Sequence, residues 1–120
     1  MCEDDGLLRL VASPMSALLV HCTCPDAASA QRIADALVAE RLAACVQVLP
    51  GLVSTYRWQG ETRRDPEHLL LIKTSARCWP ALRERVPELH PYETPELLAF
   101  AAADGAAGYL AWLAEQTRPE

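Results

Sequence analysis

Two cysteines separated by one residue, Cys22 and Cys24, are suited by type and spacing to metal chemistry. If both lie in a β-strand, their side chains point to the same face, because side chains alternate along a strand. Two thiolates on one face can share a soft metal ion such as Cu(I), Cu(II) or Zn(II). In the structural alternative, Cys22 is a small core residue and Cys24 begins a loop, and from this pair alone the alternative is favoured.

A second group of side chains could converge where a predicted turn meets the ends of the central strands. The group consists of Trp58, Lys73, Tyr92, Glu93, Thr94 and Glu96. A lysine beside a glutamate and a tyrosine can transfer protons or hold an anion, and we expect such a cleft to lie between subunits. In the structural alternative, Tyr92 and Glu96 bridge subunits and Trp58 packs under a neighbouring chain.

Motifs and charge exclude several classes of protein. The sequence contains no Walker loop, dinucleotide fingerprint, zinc-protease motif or catalytic triad motif, so we expect no enzyme. With 11 Lys and Arg against 16 Asp and Glu, the net charge of −5 disfavours nucleic acid and anionic lipid as partners. No apolar run approaches the length of a membrane-spanning helix.

The cysteines and the first residues indicate the compartment and the domain. Five cysteines at irregular spacing in a chain of 120 residues predict reduced thiols and a cytoplasmic protein. The acidic start does not match a secretory leader. We expect a flexible, dispensable N-terminal extension over residues 1–14 and a single domain over residues 15–118.

The elements that position these residues follow from the hydrophobic periodicity. The apolar run at residues 17–22 predicts a buried strand, ended by Pro25 and Asp26. An amphipathic helix follows, with Asp26 as its cap. Its apolar positions recur at three- and four-residue steps: Ile33, Ala34, Leu37, Val38 and Leu42.

The middle of the chain predicts a long hairpin. Residues 45–49 favour a strand that is interrupted at Pro50 and Gly51 and resumes over residues 53–58, before a turn at Gln59 and Gly60. The return strand leads into residues 69–74, whose continuous apolar run is typical of a strand covered on both faces.

The remaining elements complete a familiar order. Pro80 can start a second helix, which Pro87 and Pro91 should end. A last strand over residues 95–101 and a terminal helix over about residues 109–116 follow. The order βαββαβ with a C-terminal helix predicts an α+β, ferredoxin-like fold.

Short sequence motifs in these elements follow one another in a single collinear order over about residues 17–113. They are His21-Cys22-Thr23-Cys24-Pro25-Asp26, Leu42-Ala43-Ala44-Cys45-Val46, Tyr56-Arg57-Trp58-Gln59-Gly60-Glu61, Leu71-Ile72-Lys73-Thr74, His90-Pro91-Tyr92-Glu93-Thr94-Pro95-Glu96 and Tyr109-Leu110-Ala111-Trp112-Leu113. Together these motifs resemble those of the CutA family of divalent-ion tolerance proteins.

The resemblance implies a ferredoxin-like homotrimer, joined between subunits by the long hairpin strands, that interacts with copper or other divalent metal ions. In the family, the position matching Cys22 is associated with copper, together with two adjacent histidines that precede the Pro-Tyr motif, here Pro91-Tyr92. Here His90 matches the second histidine, whereas Leu89 stands at the first and cannot bind a metal. The implied ligands are Cys22 and His90, with Cys24 as a local substitute. In the structural alternative, His90 is a turn histidine held in extended geometry by Pro91.

Two functions are therefore predicted. The first is a divalent-cation tolerance protein that binds copper or another divalent metal weakly and contributes to the response to metal ions. The second is a PII-like sensory or adaptor trimer that binds a small anionic ligand at inter-subunit clefts.

Overall fold

The computed structural model describes Ser13 and residues 15–119, so the predicted extension over residues 1–14 lies, apart from Ser13, outside the described residues. The strands are β1 (Ala17–Cys24), β2 (Cys45–Trp58), β3 (Glu61–Ser75) and β4 (Leu97–Ala101). The helices are α1 (Ala27–Ala39), α2 (Trp79–Leu89) and α3 (Ala107–Gln116), with a 3-10 turn over Ala76–Cys78 before α2. The α+β, ferredoxin-like prediction is confirmed.

The four strands form one antiparallel sheet in the order β2-β3-β1-β4. The β2–β3 hairpin turns at Gln59 and Gly60, and both residues have positive φ. A two-residue turn with positive φ at both positions matches the right-handed twist of the two strands. The register of β2 shifts between Leu49 and Leu52, which is the bulge predicted at Pro50 and Gly51.

Helices α1 and α2 cover one face of the sheet. The core joins alternate residues of β1 and β3, including Val20, Cys22 and Ile72, to helical residues such as Ile33 and Leu82. The predicted cap of α1 is present, because the Asp26 carboxylate accepts a hydrogen bond of 2.7 Å from the Ser29 N–H.

Three local predictions were wrong. Helix α2 passes through Pro87 and ends before Pro91, since Pro87 is exposed and the carbonyl that it frees, on exposed Arg83, can face water. Val38 is 45% exposed because it lies at the margin of the apolar stripe of α1. The last strand begins at Leu97, after the extended loop that contains Pro95.

The apolar run of β3 is also covered differently from the prediction. Leu70 and Ile72 are fully buried, whereas Leu69 and Leu71 are only half-buried, because both helices lie on the same face. The opposite face of the sheet, here called the open face, carries Leu98 and Phe100, which are 54% and 46% exposed.

Candidate metal centre

Strand β1 places the two neighbouring cysteines on one face. Because β1 continues through Cys24, Cys22 and Cys24 both point toward the helices, and both are fully buried. The alternative in which Cys24 begins a loop is wrong. Both cysteines belong to the core cluster, so they also fill space between the sheet and α1 and α2.

The end of α2 brings a histidine to these thiols. His90 has extended geometry, with φ −86° and ψ 142°, because the following Pro91 excludes helical geometry. Its side chain is buried, with Nε2 3.6 Å from Cys24 Sγ and 2.7 Å from the Thr23 carbonyl oxygen. The ligand atoms of Cys22, Cys24 and His90 all lie within 4.8 Å of one another.

The hydrogen bonds of His90 define its tautomer. The Tyr92 backbone N–H donates to Nδ1 at 3.0 Å, so Nδ1 is the unprotonated nitrogen. Nε2 therefore carries the proton and donates it to the Thr23 carbonyl. Both ring nitrogens of His90 are engaged, so binding a metal through Nε2 would require loss of this proton and of the bond to Thr23.

The two thiols have different acidities. The pKa of Cys24 is lowered because its sulfur accepts a hydrogen bond from Cys22. The pKa of Cys22 is raised because it keeps its proton in that hydrogen bond and because it is buried. Cys24 is thus the first of the pair to become a thiolate, which is the form that binds metal ions.

The buried carboxylate of Glu67, which contacts the loop next to His90, was not predicted from the sequence. Glu67 is 8% exposed and accepts hydrogen bonds from the Ser54 hydroxyl at 2.6 Å and the Tyr92 hydroxyl at 2.9 Å. Burial and the bond to Glu67 both raise the pKa of Tyr92. Since Tyr92 also donates its backbone N–H to His90, the Glu67 contact holds the loop that orients the histidine. The only local signal was a glutamate two residues before the apolar run of β3.

The predicted cleft residues do not meet within one chain. Trp58 pairs with Glu61 at the tip of the hairpin, whereas Lys73 pairs with Cys45 at its other end, about 40 Å away at the usual rise per residue. Lys73 donates to the Gln47 side-chain carbonyl, and Tyr92 contacts Glu67. Glu93, Thr94 and Glu96 are exposed on the loop before β4. A cleft assembled from several subunits stays a prediction.

Comparison with known proteins assigns the chain to a family. The family model described as CutA1 divalent ion tolerance protein matches residues 18–116. The chain belongs to the CutA family. The divalent-cation tolerance protein CutA of Thermus thermophilus is 54% identical over 99 residues, which cover 82% of this chain and 96% of the relative.

Solved CutA structures share the fold of this family member. CutA from Xylella fastidiosa matches with a TM-score of 0.84 and 47% identity, covering 86% of this chain and 99% of its own. A protein from Archaeoglobus fulgidus described as periplasmic divalent cation tolerance protein CutA matches with a TM-score of 0.83 and 29% identity, over 85% and 99%. Because one relative is described as periplasmic, the cytoplasmic location stays a prediction.

The relatives from Thermus thermophilus and Archaeoglobus fulgidus are named for tolerance of divalent cations. Among the described residues, the helices are all too short or too polar to span a bilayer. The donor set of two thiols and one imidazole suits soft and borderline ions such as copper and zinc better than hard ions, which prefer oxygen ligands.

Proposed function

We propose that this CutA family member binds copper or another thiophilic metal ion through Cys22 and Cys24, with support from His90, and contributes in this way to the response of the cell to metal ions. The observation that carries the proposal is the approach of three buried ligand atoms to within 4.8 Å of one another. Buried sulfur and nitrogen atoms at this spacing can bind one ion after small side-chain rotations.

The thiols are the primary ligands in this proposal. Cys24 has a lowered pKa and therefore loses its proton most easily. His90 is a weaker ligand, because Nε2 must first give up its bond to Thr23. These three ligands on their own, one of them engaged elsewhere, predict an affinity below that of a closed structural zinc site, which uses four.

An anaerobic copper titration against a competing chelator tests the proposal. We expect the wild type to bind one copper ion per chain and Cys22→Ser and Cys24→Ser each to bind at least about 100-fold more weakly, beyond what loss of an outer partner costs. Cys45→Ser is the matched control, because Cys45 lies on another strand and is only partly buried. Equal affinity of all four proteins would refute the proposal.

We further propose that the protein acts as a homotrimer, in the cytoplasm. Leu98 and Phe100, two positions apart on β4, expose adjacent apolar side chains on the open face, and adjacent apolar surface of this kind is typical of association sites. Leu49 is exposed on the same face, on the other edge strand β2. Beyond the last β1–β3 pair, Cys24 with His68, the hairpin extends with no β1 neighbour in the same chain. An unpaired strand edge is satisfied by pairing with another copy, and symmetric association closes such contacts.

A further inference from the structure

A second histidine, His68, lies beside the thiol pair on the neighbouring strand. His68 of β3 is directly opposite Cys24 of β1 in the antiparallel register. Residues that face each other in this way share a face of the sheet, and their Cβ atoms are about 4.5–5.5 Å apart. His68 therefore starts from the same face as Cys24, on the side of the helices.

The imidazole of His68 has a free ring nitrogen. Within the described part of the chain, His68 Nδ1 is buried and has no hydrogen-bond partner, although the residue as a whole is only half-buried. Buried polar atoms are almost always paired, so the unpaired ring nitrogen of a histidine directly opposite Cys24 in the sheet requires an explanation. His90 differs, because both of its nitrogens are engaged by Tyr92 and Thr23.

We propose that His68 is a further ligand of the metal site, so that Cys22, Cys24, His68 and His90 together form a four-ligand site. This inference rests on the proposed function. The ring nitrogens of His68 do not lie within 4.8 Å of all the ligand atoms of Cys22, Cys24 and His90. The side chain of His68 must therefore turn toward Cys24 when the ion binds. The partly exposed position of His68 leaves it room to turn and gives the ion a path from solvent.

The completed ligand set narrows the chemical class of the ion. Two thiolates and two imidazoles form the tetrahedral set that holds zinc in closed structural sites. The same set fits Cu(I), which also prefers soft ligands. The site is therefore expected to prefer a four-coordinate d10 ion to a hard divalent ion such as magnesium or calcium, which takes oxygen ligands.

Zinc binding to His68→Ala provides the test, with affinity measured by competition with a chromophoric chelator. We expect a loss of more than about 100-fold, because removing a residue that only hydrogen-bonds a metal ligand typically costs about 10- to 100-fold in affinity. His21→Ala is the matched control, because His21 precedes Cys22 on β1 but faces Phe100 on the open face. This control should bind zinc like the wild type, and far-ultraviolet circular dichroism establishes that each variant is folded.

A second readout uses the wild type alone. Zinc added to protein labelled with 15N at histidine should shift the ring-nitrogen resonances of His68 and leave those of His21 unchanged. If zinc binds and Cys24→Ser abolishes binding, but His68→Ala binds like the wild type and the His68 resonances stay in place, this inference is overturned and the proposed function stands. If the wild type does not bind zinc or copper, the proposed function itself fails.

Discussion

The two faces of strand β1 carry opposite kinds of chemistry. Cys22 and Cys24 point under the helices, are fully buried and lie beside a histidine. Leu19 and His21 point to the open face, where His21 packs against the exposed Phe100 with ring centroids 5.0 Å apart. One short strand therefore separates the proposed metal site inside the chain from a surface suited to contacts between chains.

A charge on the open face should have the strongest effect, because it should disrupt the proposed trimer. Phe100→Asp should convert the proposed trimer to monomers. Burying a phenylalanine side chain stabilises a contact by about 1.5–3 kcal/mol, and the substitution replaces that side chain with a charge. Val38→Asp is the control, since Val38 is similarly exposed but lies on α1. Light scattering measures the mass of the assembly, and a wild-type protein that is already monomeric at micromolar concentration would refute the proposed homotrimer.

The next effect concerns the loop that orients His90. Tyr92→Phe removes the hydroxyl that donates to the buried Glu67, and we expect a loss of about 1 kcal/mol in the free energy of unfolding. Tyr56→Phe is the matched control, because its hydroxyl donates to Asp65 on the exposed hairpin, and it should cost less. Urea denaturation measures the free energy of unfolding of both variants. An equal loss in the two variants would show that the hydrogen bond to the buried Glu67 contributes no more than an exposed one.

The smallest effect concerns α1, which covers the thiol face. The Ser29 N–H lowers the pKa of Asp26 in the folded state, so the stability from this cap is present above the unfolded pKa of about 3.9 and is lost as pH falls through the lower folded pKa. Asp26→Asn keeps a capping oxygen without this titration. The stability advantage of the wild type over Asp26→Asn should therefore shrink below about pH 4. A constant difference across that range would be inconsistent with the cap.

Most of the fold was predictable because its signals are local. The cap at Asp26, the bulge at Pro50 and Gly51 and the turn at Gln59 and Gly60 each depend on residues within a few positions of one another. Pro87 was misjudged because it lies in the last turn of α2 on an exposed side, where the carbonyl that it frees, on Arg83, can face water.

The site was less predictable because its contacts are distant in sequence. Alternation along β1 was enough to place Cys22 and Cys24 on one face. The approach of His90 to Cys24 joins residues 66 positions apart, and only the family resemblance indicated it. His68 was missed because the register between β1 and β3 cannot be read from either strand, and a slip of one residue would turn His68 to the open face.

Metal binding by the two thiolates can be observed by X-ray absorption at the copper edge, because the spectrum identifies the atoms bound to the ion. Wild-type protein loaded with one equivalent of copper under anaerobic conditions should show sulfur scatterers at roughly 2.3 Å, the distance typical of thiolate ligands to metals of this kind. The double variant Cys22→Ser with Cys24→Ser should lose them, whereas Cys45→Ser should keep them. A wild-type spectrum with only nitrogen and oxygen neighbours would rule out copper binding through Cys22 and Cys24.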